Sequence, residues 1–302
     1  MKIYKNYNLK NKHKNSAIAI GNFDGFHLGH QKVIKNGIKI AKKNNLKFGL
    51  LVFQPLPIMF FNKKLKNYRI DSLEQKISSS KNYGIDFLII KKFDKKFSNI
   101  TANNFIKEII FRKLKIKLLF ISKNFRFGKN RTGNVKLLKK NEKLFGYKVK
   151  TIQPFLKKRL TISSTLIRKK LSQGKINYAN RLLGRFWTIE GIVERGERRG
   201  RKIGFPTCNI DLKNYIIPKP GVYSSKIIIN NKYKKSGITN IGYRPTFGKK
   251  KLILEAHIFS LKKNLYDKRI KIMLTKFIRK EKKFKNITQL KKQIKSDIKN
   301  AK

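Results

Sequence analysis

Cysteine, acidic side chains and long apolar runs are all scarce in this chain. Cys208 is the one cysteine among 302 residues. A lone cysteine cannot form an internal disulfide or a thiolate metal cage, which excludes a disulfide scaffold and a zinc finger. No apolar run approaches the roughly 18 residues of a membrane span, and the first fifteen residues, MKIYKNYNLKNKHKN, lack the apolar stretch of a signal peptide. We therefore expect a cytoplasmic protein with no membrane partner.

The charge is strongly one-sided, with 76 lysines and arginines against 15 acidic residues and a formal net charge of +61. Such a balance is typical of proteins that bind nucleic acid, which makes a basic nucleic-acid-binding module one alternative. The lysines, however, are scattered evenly from Lys2 to Lys302, without a block or a stripe. We therefore predict no dedicated nucleic-acid partner, although the charge favours anionic substrates such as nucleotides.

The first part of the chain alternates strand-sized apolar runs with helix-like stretches. A length of 302 residues favours two domains, and 40% hydrophobic residues can supply their cores. Repeated strand, helix and strand segments predict a doubly wound parallel sheet with helices on both faces. Ligands bind such sheets at the carboxyl ends of the strands. The five runs are AIAI at 17–20, FGLLVF at 48–53, IDFLII at 85–90, IKLLFIS at 116–122 and YKVKTI at 147–152.

A glycine-rich loop with two histidines follows the first of these runs. It reads Gly21-Asn-Phe-Asp24-Gly-Phe-His27-Leu-Gly29-His30, and a helical pattern begins there. Glycines allow a ligand close to the backbone, and a helix N-terminus offers N–H donors to phosphate. Histidines three apart near a helix start share one face, which suits a phosphate that gains charge in the transition state. A metal-binding pair or two surface histidines are the alternative interpretation.

His27-x-Gly29-His30 after a strand resembles the signature of the nucleotidyltransferase superfamily, and the wider string GNFDGFHLGH resembles its bacterial FAD synthetase branch. The resemblance implies that His27 and His30 are catalytic and hold the ATP phosphates. The FMN phosphate would attack the α-phosphorus, and pyrophosphate would leave. The loop residues Gly21, Asp24 and Gly29 are then expected to bind ATP as well.

Two later segments also resemble this branch. Asn124-Phe125-Arg-Phe127-Gly follows the fourth strand, and the resemblance implies that Asn124 contacts the nucleotide while both phenylalanines lie near the flavin. In the superfamily's usual strand order the first and fourth strands are neighbours, so both loops are expected to face one crevice. The string Ser163-Ser-Thr-Leu-Ile-Arg resembles the family's phosphate-binding turn, although a simple helix cap is an alternative. The ATP-binding residues implied there are Ser164, Thr165 and Arg168.

The chain departs from the family's pattern at three positions. Where the family often has Phe-Glu-Pro-His-Pro, this sequence reads Phe-Gln54-Pro-Leu56-Pro, which loses a carboxylate and an imidazole. Thr161 stands where a basic residue commonly precedes the serine pair. These departures leave open the alternative that one activity alone is retained, the kinase described below.

The pattern changes near residue 183, after which short alternating runs follow one another with turn residues between them. Closely spaced short strands predict an antiparallel, Greek-key-like β-barrel. Apolar residues at helical intervals from Thr288 onward predict a terminal helix. The predicted domains are residues 1–182, an FMN adenylyltransferase (nucleotidyltransferase) domain, and residues 183–302, the barrel with its terminal helix, and the fold class is α/β plus β-barrel.

A basic, glycine-rich string lies in this second region: Gly196-Glu-Arg-Arg-Gly-Arg-Lys-Ile-Gly-Phe-Pro-Thr207-Cys-Asn209. Its composition fits a mobile positive flap over phosphates, although a solvated basic hairpin is an alternative. The whole string resembles the riboflavin kinase motif Gly-Phe-Pro-Thr-Ala-Asn, with Cys208 in place of the alanine. The resemblance implies that residues 183–302 form a riboflavin kinase domain. The resemblance implies that Thr207 holds magnesium and that the ATP phosphates are bound by Gly200, Arg201, Gly204, Thr207 and Asn209.

Three further matches follow in the riboflavin kinase order: Gly221-Val-Tyr, Asn240-Ile-Gly-Tyr-Arg-Pro-Thr-Phe247 and Leu-Glu255-Ala-His257. Glu255 alternates with apolar neighbours, so it is expected to point away from the barrel interior. A solvated carboxylate is the ordinary interpretation of such a residue. Beside a phosphate loop it fits a general base that takes the proton from riboflavin's terminal hydroxyl. The resemblance also implies a flavin contact near Arg279.

These observations predict a bifunctional enzyme that makes FMN from riboflavin and ATP, and FAD from FMN and ATP. The expected cofactor is Mg²⁺, which neutralises phosphate charge, and ATP is the co-substrate. Riboflavin, FMN and ATP are the expected small-molecule partners, with at most a weak homo-oligomer. A different adenylyltransferase, acting on pantetheine phosphate or nicotinamide mononucleotide, is another alternative, but it leaves the barrel motifs without a role.

Overall fold

The computed structural model describes residues 1–153, 156–157, 160–213, 215–230, 232–246, 249–261 and 263–302. By packing, the chain forms two compact units. The first comprises residues 1–65 and 73–163, and the second comprises residues 66–72 and 164–302. The division into domains after residue 182 stays a prediction. In the described part of the chain, no helix has the length and apolar character needed to cross a membrane.

A six-stranded parallel sheet forms the centre of the first unit, in the order β1-β4-β3-β2-β5-β6. The five predicted strands are all present, and Lys2–Tyr4 adds an edge strand that the sequence did not predict. The order reverses between β2 and β5, as expected, so their carboxyl ends meet at the switch point. The strands are β1 (Lys2–Tyr4), β2 (Ala17–Ile20), β3 (Phe48–Gln54), β4 (Phe87–Lys92), β5 (Leu118–Ser122) and β6 (Lys148–Ile152).

Helices cover both faces of this sheet, because successive strand residues point to opposite sides and both sides are apolar. Ile18 and Leu51 contribute to one buried cluster, whereas Ala19 and Leu50 contribute to the other. The helices are α1 (Leu28–Lys43), α2 (Pro57–Phe61), α3 (Leu73–Asn82), α4 (Lys95–Ser98), α5 (Ala102–Asn104), α6 (Val135–Lys140) and α7 (Glu142–Phe145), with a π-helix at Phe105–Lys113 and 3₁₀ turns at Asn11–His13 and Lys129–Arg131. A short hairpin of β7 (Leu156–Lys157) and β8 (Leu160–Thr161) ends the unit.

The second unit is built on a six-stranded antiparallel sheet in the order β10-β13-β12-β11-β14-β9. An isolated antiparallel bridge between Glu194 and Asn209 joins the two edges, so the sheet curls into the predicted barrel. Leu254, Ala256 and Trp187 are fully buried in its interior. The elements are α8 (Ser164–Ser172), α9 (Ile176–Leu183), β9 (Trp187–Ile192), α10 (Arg199–Lys202), β10 (Cys208–Ile210), β11 (Gly221–Ile229), β12 (Tyr233–Thr246), β13 (Lys249–Ile258), β14 (Arg269–Arg279) and α11 (Ile287–Ala301).

Residues 66–72, here called the strap, pack in this second unit although the chain on either side belongs to the first. The indole N–H of Trp187 donates to the Ile70 carbonyl at 2.9 Å. Arg185 pairs with the buried Asp71 at 2.5 Å. The terminal helix α11, which was predicted, packs on β11, β12 and β14. The fold class predicted from the sequence is therefore confirmed, and the strap is the unexpected part of it.

Candidate active site

The histidine loop, residues 21–30, joins β2 to α1 at the switch point. His27 caps α1, and its Nδ1 accepts a hydrogen bond from the His30 backbone N–H at 3.3 Å. The two imidazole rings are stacked, with centroids 3.6 Å apart, and His27 is 5% exposed. Because Nδ1 of His27 acts as an acceptor, the ring proton lies on Nε2. The loop therefore offers an imidazole donor next to the unpaired N–H groups of a helix N-terminus.

The other predicted residues of this loop are two glycines with close neighbours and one buried aspartate. Asp24 is 2% exposed, so its carboxylate lies inside the loop rather than in solvent. A Cβ added at Gly29 would lie 3.1 Å from the His27 ring and 3.6 Å from the Ile162 carbonyl. At Gly21 it would lie 3.3 Å from the Phe23 ring. Gly29 thus lies against the His27 ring, on which a side chain at this position would press, and Gly21 lies against Phe23.

The loop after β5 lies at the same edge of the sheet, because β2 and β5 are hydrogen-bonded neighbours. Asn124 is exposed there, in the turn directly after the strand. Phe125 and Phe127 stack on each other with ring centroids 5.6 Å apart, and Phe127 is buried. Gly128 adopts a φ of +74°, which favours glycine, and it approaches the Ala102 backbone closely. Both loops therefore face the same edge, as the sequence predicted.

A row of aromatic rings continues from this loop across the carboxyl edge of the sheet, and sequence reasoning did not find it. Each ring centroid lies between 5.1 and 6.3 Å from the next. Phe61, at the far end, is 70% exposed. The sequence contains a signal for this row, because Phe60 and Phe61 follow the second predicted strand and Phe93 follows the third. The phenylalanine row comprises Phe61, Phe60, Phe93, Phe97, Phe105, Phe127 and Phe125.

The three departures from the family pattern have ordinary structural positions. Leu56 is 2% exposed and directly precedes α2, so an apolar side chain is packed where the family often has an imidazole. Gln54 ends β3 and is half-buried. Thr161 ends β8 and is exposed. None of these positions disturbs the histidine loop.

Ser164, Thr165 and Arg168 lie on α8, which packs in the second unit. Ser164 is the first residue of the helix, so the expected helix start is present. Arg168 Nε donates to the Tyr68 carbonyl at 2.8 Å, and its guanidinium lies 3.8 Å from the centroid of the Tyr68 ring. Arg168 therefore holds the strap. A role of these three residues in binding ATP stays a prediction.

A second group of predicted residues lies on the outer face of the barrel. Leu254 and Ala256 point into the interior, so Glu255 between them points outward. The strand register places Glu255 opposite Asn209 on one side and opposite Asn240 on the other. Residues directly opposite each other on antiparallel strands share a face. The structure thus lines up Asn209, Glu255 and Asn240 in one polar row.

The turn before β10, residues 200–207, stands next to this row. The Phe205 N–H donates to the Gly200 carbonyl at 2.8 Å, and a Cβ at Gly200 would lie 3.3 Å from Thr207 Oγ1 and collide with the Phe205 carbonyl. Gly204 adopts a φ of +88°. His257 Nδ1 donates to the Pro206 carbonyl at 2.8 Å, a contact that the sequence did not predict. Gly200, Arg201, Gly204 and Thr207 therefore form one tight turn supported by His257.

The side-chain amide of Asn209 is not fully hydrogen-bonded by the described residues. Its Oδ1 is buried and accepts no hydrogen bond from the part of the chain that the structure describes. A Cβ at Gly196 would collide with the Asn209 amide, so glycine is needed to make room for it. Among the described residues, no three His, Cys, Asp or Glu side chains converge as metal ligands. The Asn209 amide and the Thr207 hydroxyl are side-chain oxygens at this turn that are suited to coordinate a metal ion.

Arg279 is largely engaged by its own unit. Its Nε and Nη2 donate to the Asp297 carboxylate at 2.7–3.0 Å, and Nη1 donates to the Lys280 carbonyl. Two residues later, the Glu281 carboxylate lies against Gly242 on β12, where a Cβ would collide with it. Burial raises the pKa of Glu281 above its usual value, and Arg279 partly offsets this. A flavin contact by Arg279 stays a prediction, and Phe247, quoted above, lies outside the described residues.

Comparison with known proteins matches the first and second parts of the chain to two different families. A family model described as FAD synthetase matches residues 9–166, and one described as riboflavin kinase matches residues 183–302. A bifunctional riboflavin kinase/FMN adenylyltransferase of Buchnera aphidicola subsp. Schizaphis graminum is 44% identical over 97% of this chain and 95% of its own length. The protein of that name from Escherichia coli K12 is 34% identical over 93% of this chain and 90% of its own.

A solved structure resembles the whole chain as well. A crystal structure described as a macrolide-efflux protein from Streptococcus pneumoniae covers 99% of this chain and 97% of its own, with a TM-score of 0.86 and 27% identity. That likeness supports the two-unit fold described above. The matches to two family models, together with relatives that align over nearly the full length, place the chain in the bifunctional riboflavin kinase/FMN adenylyltransferase family.

Proposed function

We propose that this chain phosphorylates riboflavin with ATP in its second unit and adenylylates the resulting FMN with another ATP in its first unit. The observation that carries the proposal is that two tight, glycine-containing turns, one around His27 and one around Thr207, lie in separate compact units. Each unit has its own family match, and the relatives that align with both are named for both reactions.

In the first unit, the FMN phosphate attacks the α-phosphorus of ATP, the bond from that phosphorus to the β-phosphate oxygen breaks, and pyrophosphate leaves. Negative charge grows on the phosphate oxygens during this step. The Nε2–H of His27, the stacked His30 ring and the N-terminal amides of α1 are donors directed at that charge. Gly21 and Gly29 let the phosphates approach the backbone. Asp24 shapes the loop from inside, and Asn124 reaches the nucleotide from the neighbouring strand.

The flavin of the first unit is proposed to bind at the phenylalanine row. Planar aromatic rings stack favourably on phenylalanine, with centroid separations of about 4.5–7 Å. Phe125 and Phe127 form the end of the row next to Asn124, and Phe61 at the other end exposes 70% of its surface. The exposed Phe61 ring, at the end of this continuous row, gives the isoalloxazine ring an apolar platform at the carboxyl edge of the sheet.

In the second unit, the terminal hydroxyl of riboflavin attacks the γ-phosphorus of ATP, its proton passes to Glu255, and ADP leaves. The outward position of Glu255 between Asn209 and Asn240 supports its role as the general base. The turn of Gly200, Arg201, Gly204 and Thr207 is proposed to cover the phosphates. The Glu281 carboxylate lies next to the polar row of Asn209, Glu255 and Asn240, whereas Arg279 is bonded to Asp297. Glu281 is therefore a better candidate than Arg279 for a flavin contact.

The turn also fits a magnesium ion. The Thr207 hydroxyl and the unsatisfied Asn209 Oδ1 are oxygen ligands, and Mg²⁺ usually takes one or two protein ligands together with substrate phosphates. When bound, the ion would neutralise phosphate charge during transfer. Thr207 and Asn209 are thus the residues proposed to hold it, and the remaining coordination would come from ATP and water.

The proposal is tested by incubating purified protein with riboflavin, ATP and Mg²⁺ and separating the flavins by chromatography. The double variant His27→Ala with His30→Ala is expected to stop at FMN. Glu255→Gln is expected to slow FMN formation about 10²–10⁴-fold, the usual cost of losing a general base, while added FMN is still converted to FAD. Each variant is the control for the other, since each leaves one unit untouched.

Loss of both reactions in either folded variant would contradict the assignment of one reaction to each unit. Accumulation of FMN by the unmodified protein would instead favour the alternative in which the kinase alone is retained. Gln54, Leu56 and Thr161 would then be the first positions to restore to the family pattern.

The partners proposed are the small molecules riboflavin, FMN and ATP. We also propose that the enzyme is cytoplasmic and forms at most a weak homo-oligomer. The net charge of +61 is expected to give non-specific binding of nucleic acid only. A filter-binding titration distinguishes the cases: non-specific binding collapses as salt rises, whereas sequence-dependent binding at physiological salt would reveal a dedicated nucleic-acid partner.

A further inference from the structure

Lys76 is a buried lysine whose ammonium group contacts the histidine loop. It lies on α3 and is 4% exposed, and its Nζ donates a hydrogen bond to the Asn22 carbonyl at 2.7 Å. Lysine is almost never fully buried unless it is paired, because an ammonium group loses its hydration there. The hydrogen bond to Asn22 places this buried ammonium group against the backbone of the histidine loop.

The loop that Lys76 contacts has an unfavourable backbone conformation. Phe23 and Phe26 have φ values of 44° and 39°, in the left-handed region that bulky residues rarely adopt. Residues of this kind typically cost about 1–3 kcal/mol each and persist only when surrounding contacts hold them. Both rings are buried, at 4% and 1% exposure. The histidine loop is thus strained, and something outside it must keep it in place.

Contacts at the C-terminal end of α3 and along it supply that support. Tyr83, the residue after α3, stacks on Phe26 with ring centroids 5.9 Å apart. Lys76, about two turns earlier, holds the Asn22 carbonyl on the other side of the strained residues. Phe23, the next residue after Asn22, packs against the His30 ring at 5.1 Å. A path of direct contacts therefore runs from Lys76 through Asn22 and Phe23 to His30.

We propose that Lys76 is a positioning residue for FMN adenylylation: it fixes the strained histidine loop so that His27 and His30 meet the ATP phosphates. The inference rests on the proposed function of the first unit. Because Lys76 is buried, its charge acts on the loop carbonyl rather than as an exposed phosphate ligand. A misplacement of catalytic groups by about 1 Å can cost about 10²-fold in rate, so loss of this contact is expected to reduce the rate of the chemical step.

The test compares Lys76→Met with Lys81→Met, which removes the same charge from an exposed position on the same helix. We expect kcat for FMN conversion to FAD to fall about 10–10²-fold in Lys76→Met, with KM for FMN within about 2-fold, and to remain unchanged in Lys81→Met. Riboflavin phosphorylation by the same molecules should be unchanged in both. Lys76→Arg keeps a long cationic donor and should recover most of the lost activity.

The outcomes are distinguishable. Failure of the unmodified protein to make FAD would reject the proposed function, not the role of Lys76 alone. If unmodified protein makes FAD and folded Lys76→Met keeps its kcat within about 2-fold, the positioning role is wrong. If Lys76→Met does not fold, the comparison of FAD formation by Lys76→Arg and Lys76→Gln tests the positioning role instead. The proposal requires that Arg exceed Gln, whose amide is too short to reach Asn22, and equal activities or the reverse order would overturn it.

Discussion

The two turns proposed to bind phosphate are built in opposite ways. The histidine loop is an interior structure: Asp24, His27, Phe23 and Phe26 are all at most 5% exposed. The turn at residues 200–207 is half-exposed or exposed throughout. Each nevertheless has a backbone carbonyl held by a side chain from another element: Lys76 holds the Asn22 carbonyl and His257 holds the Pro206 carbonyl. If both regions bind phosphate as proposed, the difference predicts a first site that is organised before ATP binds and a second that closes over its ligand.

This comparison has an energetic consequence. The buried histidine loop is held in place by many surrounding contacts. Altering one of them is therefore expected to lower the rate of FAD formation without abolishing ATP binding. An exposed turn depends on a few internal contacts, so one added atom can deform it. We therefore expect substitutions inside the turn to have larger effects than equivalent substitutions inside the loop.

The glycines of the two regions test this expectation most strongly. In Gly200→Ala the new Cβ collides with the Phe205 carbonyl and lies 3.3 Å from Thr207 Oγ1, so the turn must open. In Gly29→Ala it meets the His27 ring at 3.1 Å, which that ring can relieve by moving a few tenths of an ångström. We expect Gly200→Ala to lower riboflavin phosphorylation about 10²-fold and Gly29→Ala to lower FAD formation about 10-fold.

Steady-state rates of both reactions in both variants measure the difference, and the unaffected reaction is the internal control for folding. Equal losses in the two variants would contradict the contrast between a pre-organised loop and a turn that closes on its ligand.

His257 provides a smaller test of the same contrast. The variant His257→Phe keeps an aromatic ring against Phe205, which now lies 5.6 Å from His257 centroid to centroid, but it removes the hydrogen bond to Pro206. A typical hydrogen bond contributes about 0.5–1.5 kcal/mol, which corresponds to a loss of roughly 2–10-fold in kcat for riboflavin phosphorylation. FMN conversion to FAD should not change. If kcat for phosphorylation is unaltered while the protein is saturated with ATP, the turn does not need this support.

Much of the fold follows from local sequence patterns. Apolar runs of strand length predicted five of the six parallel strands, and the polar–apolar alternation around Glu255 predicted which way its side chain points. The pairing of His27 with a helix start also followed from spacing alone, because a cap and a residue three positions later must be neighbours. These features depend on residues close together in the chain.

The missed features depend on contacts between distant residues. The strap has no periodic pattern of its own, and its structure comes from Trp187, Arg185 and Arg168, which are about 100 positions away. Lys76 looks like one more lysine of a highly basic chain until its burial is known. The contact of the Arg168 guanidinium with the Tyr68 ring and carbonyl was likewise not predicted, because the two residues are 100 positions apart; a role of Arg168 in binding ATP stays a prediction.

Substitution of Cys208 should affect activity least of all, although this residue lies between Thr207 and Asn209, the two proposed magnesium ligands, in sequence. Burial raises the pKa of its thiol to about 11. At pH 8 about 0.1% of such a thiol is thiolate, against about a quarter of a free thiol with a pKa near 8.5, so labelling by a disulfide reagent should be roughly 200-fold slower in native than in unfolded protein. Folding lowers thiolate formation, so this group's contribution to stability is complete below pH 8.5 and declines as the pH rises towards 11.

Cys208→Ala should leave riboflavin phosphorylation within about 2-fold, because the side chain on the barrel strand fills space and takes no part in binding phosphate. Fast labelling, or a large loss in the alanine variant, would mean that the strand beside Asn209 opens readily. Movement in the second site would then extend from the turn into the barrel strand itself, and the closing element would have to include β10.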